Sequence, residues 1–497
     1  MTQIRLPVLT ALWAACLAGP AYGHGDHSKL PEGEAISGDP IDSVLWIHMI
    51  LMGVTFGLIF PTGMVLGIVR SRWHVPVQIV GTIIAVVAYF MGHMHKGRQF
   101  APNIHAAFAN SLMIMLAIQL VLGIYLKLHL TKGIHGRIRR FIVLGHGIVG
   151  KSMPLVSWVQ MVFGGITALG FCRDGHLGQC AAHFIMGSAF IAYGILLTIV
   201  LLVGQYWLHR TGRSQEFFDS LVITIWGCIN TFTEHRWGGP WVHNDLQHTA
   251  MGIIWWCAGL LGIWLSRSRN GRPKRNLIPA IVILFTGYAM SSHPQHLHIS
   301  AMVHTLFGYT LMAAGVTRII EIAFVLRDRS TLSPDGTDPN SFQYLTPFLL
   351  YASGFLFMGA TEEQMVLLDA AGIDHVAYIL ILYSIAFILF LFVNVLIHIY
   401  AVHAWPESTR RDDRSPSLVR NKSRSRSRAS FQSTDEHDKP VGLNGHLHTP
   451  SHAQHIRDAE EFELEGLIGA ADKGDDSPIT DVMAGGSSRK DLEAGRS

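Results

Sequence analysis

The sequence predicts an all-α protein: a polytopic membrane helix bundle of about eleven spans with a disordered C-terminal tail. Composition supports this class, because 49% of the 497 residues are hydrophobic and only 15% are charged, whereas soluble chains carry about 25% charged residues. Long apolar runs recur from residue 40 onward. The formal net charge of +3 excludes nucleic acid as a partner recruited by charge. Five cysteines are too few for a disulfide scaffold.

The first residues have the features of a secretory signal peptide, which we assign to 1–23. Arg5 supplies the positive charge, an apolar run follows, and Ala21-Tyr22-Gly23 forms a cleavage site of small residues. Cleavage would leave a lumenal segment, 24–40, that begins with His24, while an uncleaved anchor is the alternative. The sequence His-Gly-Asp-His at the new terminus offers donors for a metal such as copper.

Each predicted span is an apolar run, and most runs reach the roughly 20 residues that cross a bilayer as a helix. The sixth, eighth and tenth runs are shorter, so the count of eleven depends on them. The runs lie at 44–69, 75–94, 103–126, 141–169, 184–208, 217–233, 249–266, 277–291, 300–325, 343–360 and 375–402.

Basic residues indicate how the spans are oriented. Lys and Arg concentrate in the loops that lie on the side of the C-terminus, as the positive-inside rule requires of the cytoplasmic side. We therefore expect a lumenal or extracellular N-terminus and a cytoplasmic C-terminus, in the plasma membrane, the vacuole or another endomembrane. Cys172 and Cys180 bracket a short loop on the predicted outer side, where a disulfide persists, so we expect a bond between them.

The composition changes after the last run. Residues 406–497 contain the repeat SRSRSR, scattered acidic residues and few aromatic residues. Such a segment cannot bury enough apolar surface to fold. We therefore expect a disordered cytoplasmic tail.

Four histidines at the starts of the first four spans are the main functional signal. An ionisable side chain within a membrane helix is a functional-site candidate. The predicted orientation places His48 and His105 near the outer face, and His74 and His146 near the inner face. Two imidazoles on facing helices of a bundle are suited to be the axial ligands of a haem iron. The sequence therefore predicts two haem sites, one near each face.

Small residues accompany these histidines. His146 is followed one turn later by Gly150, and His105 by Ala109, on the same helix face. We interpret these positions as leaving room for a porphyrin. Close packing between membrane helices, which also favours Gly and Ala, is the alternative interpretation.

Four segments carry a resemblance to a known family. HMILMGVTFGLIFPTGMVLG, RWHVPVQIVG, HAAFANSLMIMLAIQLVLGIYLKL and HGIVGKSMPLVSWVQMVFGGITALGF resemble the core of cytochrome b561 proteins over about 41–171. The resemblance implies a transmembrane electron carrier with two b-type haems, held by His48 with His105 and by His74 with His146, in a domain at 41–175. The basic substrate motifs of the ascorbate-using branch are not found. The whole chain resembles fungal membrane proteins that are uncharacterised and join such a domain to a second multi-span domain.

The second predicted domain, 176–405, has histidines of its own on the predicted outer side. His183, His248 and His304 each open a span with the spacing His-x-x-x-Gly. Imidazole groups bind Cu, Zn or Fe, so one hypothesis is a further metal site at the outer face, and interfacial histidines without metal are the alternative. The candidate metal ligands are His183, His243, His248, His296, His298 and His304.

These features favour transmembrane electron transfer through two haems, from a cytoplasmic reductant to a small-molecule or metal acceptor outside, such as a ferric or cupric complex. Such a protein would be an oxidoreductase that resembles a ferric or cupric reductase, although no residue for acid, base or nucleophilic catalysis is predicted. The alternatives are a metal transporter or sensor that uses the outer histidines without haem, and a scaffold with no redox role. The lipid bilayer is the expected environment, and a homodimer is left open.

Overall fold

The computed structural model is built of helices. It describes residues 34–130, 132–235, 238–241, 243–292, 294–327 and 339–404, and the side chain of His243 is not among the described ones. The predicted signal peptide, the His24 terminus and the tail lie outside the described residues. Apart from two isolated β-bridges, the regular structure of the described residues is helical. The predicted all-α class is confirmed.

The helices are numbered here in chain order. They are α1 (Ser43–Ile68), α2 (His74–Met94), α3 (Ile104–Lys127), α4 (Ile134–Leu169), α5 (Leu177–Leu202), α6 (Gln205–Thr211), α7 (Gln215–Thr233), α8 (His243–Leu265), α9 (Ile278–Ser291), α10 (His298–Leu326), α11 (Leu345–Met358), α12 (Glu362–Ala370) and α13 (His375–Ala404).

All eleven predicted runs coincide with helices. Within the described ranges, eight helices are long and apolar enough to cross a membrane, and the count rises to nine if the bent pair of α11 and α12 is one span. That pair is bent by 74°. The three short runs account for the difference: α7 begins with acidic residues, α9 has only 14 residues, and the tenth run forms α11 of the bent pair.

Helix α1 is interrupted near its middle. Its α-helical parts flank a π-helical turn, Thr55–Ile59, and Pro61 is the second residue after this turn. Pro has no backbone N–H to donate to the preceding turn, which is consistent with a local change in helix type there. Such π-turns are frequent at functional sites.

Helix α4 begins earlier than the apolar run predicted. It starts at Ile134 and has 36 residues, about 54 Å at the usual rise, which exceeds the hydrocarbon thickness of about 30 Å. The added turns carry the basic segment GRIRR, and Arg is a good helix former. His146 therefore lies within its helix rather than at its first residue, because the helix begins before the predicted span.

The chain divides into two compact units. One contains residues 34–116 and 151–404 among the described ones, and the other contains 117–150. In the first unit, helices α1 to α4 share a small apolar core. Its buried members are Phe56, Phe60, Ala85, Leu112, Leu116 and Met153.

Helices α5 to α13 pack around a larger core in the same unit. Val303, Phe307, Leu311 and Leu350 are its fully buried centre. Glycines allow close approach between these helices: a Cβ atom on Gly187 would lie 2.7 Å from the Gly354 carbonyl oxygen. In this half the packing interpretation of small residues is therefore supported.

Cys172 and Cys180 form the predicted disulfide bond between α4 and α5. The backbone N–H of Cys172 donates to the Glu363 carboxylate at 2.9 Å. We call this end of the helices the disulfide end. The strand-like segment 34–42 covers it, pairing with residues 97–101 through Ala101 N–H to the Ala35 carbonyl at 3.0 Å.

Candidate functional site

His48 on α1 and His105 on α3 lie next to each other near the disulfide end. Their ring centres are 6.4 Å apart and their planes are nearly perpendicular, at 86°. A metal ion held between two imidazole nitrogens by bonds of about 2 Å would place the ring centres about 6.3 Å apart. The separation of these two side chains therefore fits two axial ligands of one iron.

His48 is held by helix α2. Its Nδ1 donates to the carbonyl oxygen of Ala88 at 2.7 Å. One turn later on α2, Gly92 provides the space for the ring, because a Cβ atom there would lie 2.7 Å from Nδ1 of His48. The orientation of the imidazole is thus set by main-chain atoms of a neighbouring helix.

His105 is held in a similar way by helix α4. Its Nδ1 lies 3.2 Å from the Gln160 carbonyl oxygen, and the Gln160 side-chain amide donates to the carbonyl of His105 at 2.9 Å. A Cβ atom on Gly164 would lie 3.1 Å from the His105 ring. Gln160 therefore fixes both the ring and the backbone of His105.

The hydrogen bonds at Nδ1 decide which nitrogen can bind a metal. A carbonyl oxygen only accepts, so Nδ1 carries the proton and Nε2 carries the lone pair in the neutral ring. Histidine ligands commonly donate their second ring N–H to a carbonyl, which orients the ring and makes it more basic. His48 has this arrangement, whereas Nδ1 of His105 lies 3.2 Å from the Gln160 carbonyl oxygen and 2.9 Å from the Gln160 amide nitrogen, so the carbonyl contact alone does not assign its proton.

His74, at the start of α2, repeats the pattern toward the other end of α1. Its Nδ1 donates to the Gly63 carbonyl at 2.7 Å, and a Cβ atom on Gly67 would lie 2.8 Å from that nitrogen. Ala88 and Gly92 are the residues of α2 that contact His48. They follow His74 along the helix by about 21 Å and 27 Å, given a rise of 1.5 Å per residue.

His146 shows the same relation within residues 117–150. The Gln119 side-chain amide donates to the carbonyl of His146 at 3.1 Å, and a Cβ atom on Gly123 would lie 3.4 Å from its ring. QLVLG at 119–123 thus corresponds to QMVFG at 160–164. The pairing of His74 with His146 stays a prediction.

The role assigned to small residues needs correction. Gly150, one turn after His146, is not open space for a porphyrin, because its Cβ atom would lie 2.7 Å from the Gln119 amide nitrogen. The glycines that contact the imidazoles lie on neighbouring helices. At each of them an imidazole occupies the place that a side chain would fill. They are Gly67, Gly92, Gly123 and Gly164.

Among the candidate ligands of the second half, His183 and His304 are brought together. Both are buried, and their ring centres lie 5.9 Å apart. The ring of His183 also stacks on Phe357 at 4.6 Å. Sequence reasoning did not identify Phe357, since a phenylalanine in an apolar span carries no functional signal.

The other candidate ligands form separate contacts. His248 lies 3.2 Å from Glu234, His298 lies next to His375 with ring centres 5.7 Å apart, and His296 is exposed. His243 begins α8. In the described part of the chain, the one group of three converging His, Cys, Asp or Glu ligands is Cys172, Cys180 and Glu363. Its two sulfurs are joined in the disulfide, so it is not a metal site.

A buried charged cluster was missed by the sequence analysis. Arg318 on α10 contacts Glu216 at 3.0 Å and Glu321 at 2.7 Å, and Arg275 contacts Glu216 at 2.8 Å. Arg318 and both glutamates are less than one tenth exposed. Charged residues inside the apolar segment GVTRIIEIAF were the signal that could have found the cluster.

Two family models match the chain. Residues 156–401 match the model "Protein YTP1-like, C-terminal", and residues 28–129 match a domain of unknown function, DUF2427. The first model extends from within α4 into α13, and the second covers α1 to α3. No solved structure matches the chain.

Three fungal relatives are similar in sequence. Protein YTP1 of Saccharomyces cerevisiae is 51% identical over 50% of this chain and 52% of its own length, so the match spans about half of that relative. An uncharacterised membrane protein of Schizosaccharomyces pombe is 24% identical over 65% of this chain and 87% of its own length. A second S. cerevisiae membrane protein, also uncharacterised, is 26% identical over 41% of this chain and 40% of its own length.

None of these descriptions names haem, so the resemblance to cytochrome b561 stays a prediction. They do agree with a chain embedded in a lipid bilayer through apolar helices. The chain is thus similar to the YTP1-like fungal membrane proteins, with a DUF2427 region followed by a YTP1-like C-terminal region.

Proposed function

We propose that helices α1 to α4 hold two b-type haems, as the resemblance to cytochrome b561 implies, and transfer electrons across the membrane. The reductant would lie on the cytoplasmic side and the acceptor, a ferric or cupric complex or another small molecule, on the outer side. His48 with His105 would hold one haem, and His74 with His146 the other. Haem iron, when bound, supplies reversible one-electron chemistry.

The proposal is carried by the relation between His48 and His105. Their ring centres are 6.4 Å apart, and the Nδ1 of each ring lies against a carbonyl oxygen of another helix. This arrangement orients Nε2 before any ligand binds, so little conformational entropy remains to be lost. A histidine that merely fills a core does not need a partner imidazole at this separation.

The core that α1 to α4 share in the first unit is apolar. Phe56, Phe60, Leu112, Leu116 and Met153 are buried in the shared core of α1 to α4. They exclude water from the middle of the bundle, which keeps the local dielectric constant low. An interior in which large apolar side chains predominate suits electron transfer and disfavours the passage of ions.

The predicted cytoplasmic side is basic, which supports an anionic reductant. Positive residues attract anions over about one Debye length. The positive-inside rule accounts for the same residues, so they add only modest support. They are Arg70, Arg72, Lys132, Arg137, Arg139 and Arg140.

Electron transfer can be tested with the full chain reconstituted in lipid vesicles. Ferricyanide trapped inside should be reduced when dithionite is added outside, at a rate that depends on the protein. His105→Ala should abolish this reduction, because it removes one axial ligand. His93→Ala is the matched control: His93 lies in the same bundle, is exposed, and contacts its own helix through Tyr89 at 2.9 Å.

A colourless protein whose vesicles reduce no ferricyanide would contradict the proposal. If that protein bound copper or zinc tightly, the metal transporter or sensor would become the better hypothesis. Equal rates for His105→Ala and wild type would also contradict the assigned site.

A further inference from the structure

A buried group of charged side chains joins α7 and α10, and the electron-transfer proposal does not use it. Its three carboxyl groups belong to Glu216, Asp219 and Glu321, which are 0%, 6% and 2% exposed. Its two guanidinium groups belong to Arg318, which is also buried, and to Arg275, whose side chain is 11% exposed. If every group were ionised, this carboxylate cluster would hold three negative and two positive charges, so one negative charge would be unbalanced.

The two arginines are bound by the glutamates rather than by Asp219. Arg318 contacts Glu216 at 3.0 Å and Glu321 at 2.7 Å, and Arg275 contacts Glu216 at 2.8 Å. Asp219 faces Arg318 and Glu216. Among the described residues, however, it forms no ion pair at contact distance. The unbalanced charge therefore falls on the side of the cluster where Asp219 lies.

One oxygen of Glu216 is left without a partner. Both arginines contact its Oε1, whereas its Oε2 is buried and has no hydrogen-bond partner among the described residues. Asp219 follows Glu216 by three residues on α7, and side chains at this spacing are neighbours on one helix face. A carboxylate oxygen only accepts hydrogen bonds, so Oε2 is suited to accept one from a protonated Asp219.

Burial decides the protonation state of such a pair. An unpaired charge inside a protein is strongly unfavourable, and an ionisable group avoids this cost by becoming neutral. Where two carboxyl groups share one buried site, one of them keeps its proton. A single proton on the pair of Glu216 and Asp219 would leave two carboxylates against two guanidinium groups. The carboxylate cluster would then be neutral.

The other groups around the pair leave this balance unchanged. Tyr193 on α5 and Gln215 on α7 are hydrogen-bonding neighbours of Asp219, and both are uncharged at neutral pH. Helix α8 packs on this part of α7 through two glycines, and residues 258–265 contain no titratable side chain. The charged groups that α10 contributes are the arginine and the glutamate already counted.

A proton suits this site better than a metal cation. The cavity beside the cluster has room for about one water molecule, and the positively charged Arg318 is part of its lining. The side-chain amide of Gln343, also in the lining, donates to Glu321 at 3.1 Å and accepts from the backbone of Asn340 at 2.8 Å. Hard cations such as Mg²⁺ and Ca²⁺ take about six or more oxygen ligands, whereas a proton needs one carboxyl group and one acceptor.

The carboxylate cluster lies far from the disulfide end. Its cavity is lined by Leu201, near the end of α5, whereas Cys180 lies near the start of the same helix. The two residues are separated by about 32 Å along the helix, which is close to the hydrocarbon thickness of about 30 Å. Since the disulfide end is predicted to face outward, the cluster lies near the predicted cytoplasmic face.

From these observations we propose that Glu216 and Asp219 form a proton-binding site that takes up one proton from the predicted cytoplasmic side. The proton comes from water and converts one of the two carboxylates into a carboxyl group, which donates a hydrogen bond to the other. The bound proton neutralises the contacts that join α7 to α10. The inference does not depend on the electron-transfer proposal.

Infrared spectroscopy can detect this proton in the full chain, purified in a detergent without ester groups. The C=O stretch of a protonated carboxyl group is separate from the carboxylate bands, and it shifts in D₂O. Wild type at neutral pH should show such a band, which should be lost reversibly as the pH rises. Asp219→Asn and Glu216→Gln should each lack the band, because the two remaining carboxylates match the two guanidinium groups.

The controls separate this proton from other carboxyl groups and from metal ions. Asp369→Asn removes an exposed carboxyl group of the second half and should keep the band. A band that persists in either folded variant would overturn the proposal, as would a band that NaCl removes and choline chloride does not, since the ligand would then be sodium. If the variants do not fold, a wild-type spectrum without a protonated carboxyl band at neutral pH would overturn it, and a band lost reversibly with rising pH would support it.

Discussion

The imidazole of His48 occupies the place where a side chain at position 92 would lie: a Cβ atom on Gly92 would be 2.7 Å from its Nδ1. The same relation joins His74 to Gly67 and, with slightly more room, His105 to Gly164. Each of these glycines lies one turn after the residue whose carbonyl meets Nδ1. These three glycines therefore leave the space that the imidazoles occupy.

Gly92→Ala should displace the ring of His48 and lower the haem content of the purified chain toward one per molecule. The added methyl group cannot be accommodated at 2.7 Å without moving the ring. Haem per chain and the redox difference spectrum measure the effect.

Gly53→Ala is the matched control for this change. Position 53 lies in the same bundle, and a Cβ atom there would meet nothing within 4 Å. Its haem content should equal that of wild type. Equal haem content in Gly92→Ala would show that His48 is not a ligand.

Gln160 and Gln119 should act on different haems. Each donates its side-chain amide to the carbonyl of one histidine, Gln160 to His105 and Gln119 to His146. Replacement by Leu removes that bond, which we expect to cost about 1 kcal/mol. The change should shift the midpoint potential of one haem only.

A redox titration separates the two components of the spectrum. Gln160→Leu and Gln119→Leu should each move one midpoint potential, and the double variant should move both. If the two single variants moved the same component, the assignment of the glutamines to separate sites would be wrong.

The Cys172–Cys180 bond tests the predicted orientation. In a background of Cys228→Ala and Cys257→Ala, an impermeant reductant followed by an impermeant maleimide should label Cys172 and Cys180 in sealed cells or lumen-out vesicles. The reason is that the disulfide end is predicted to face outward. Labelling that requires permeabilised membranes would place this end in the cytoplasm.

The buried cluster around Arg318 should dominate the stability of the second half. Arg318→Leu would leave Glu216 and Glu321 with less compensation in a buried position, which typically costs about 3–5 kcal/mol. Thermal unfolding in detergent should therefore shift to clearly lower temperature. Arg269→Leu, an exposed arginine, should leave the transition in place, and equal transitions for both variants would contradict a structural role for the cluster.

Segment 34–42, which covers the disulfide end, should become less stable in acid because the Asp42 carboxylate is then protonated. Hydrogen bonds from the backbone of Lys96 and then of Leu45 hold the pKa of the Asp42 carboxyl below its ordinary value of 3.8. Such a group stabilises the folded state at pH values above its pKa in the unfolded chain. This stabilisation is lost as the pH falls through its lower pKa in the folded chain.

Hydrogen exchange at the start of α1 can measure this contribution. Asp42→Asn should exchange faster than wild type above about pH 4, and the difference should vanish well below 3.8. Asp39→Asn, an exposed neighbour, should behave as wild type. A difference between Asp42→Asn and wild type that is independent of pH would contradict the assigned cause.

Apolar runs predicted the helices well, because burial in lipid is a local property of each segment. They failed at the start of α4, where Ile134 to Arg140 continue the helix beyond the apolar part. They also could not separate short helices such as α9 from full spans, since tertiary packing stabilises helices of 14 residues.

The site was only partly predictable. Span position and orientation were enough to pair His48 with His105, and the structure brings these two side chains together. The partners of the rings could not be predicted, because Ala88 and Gln160 meet the histidines through main-chain oxygens that any residue would supply. The pair of His183 and His304 depends on which helices pack together, and this is not encoded in any single segment.

The most direct measurement is the number of haem groups per chain in the full-length protein, purified from cells with ample haem supply. The two-haem proposal predicts two b-type haems for wild type and a loss on replacing His48 or His105, with His93→Ala unchanged. A folded wild-type protein that contains no haem would contradict it.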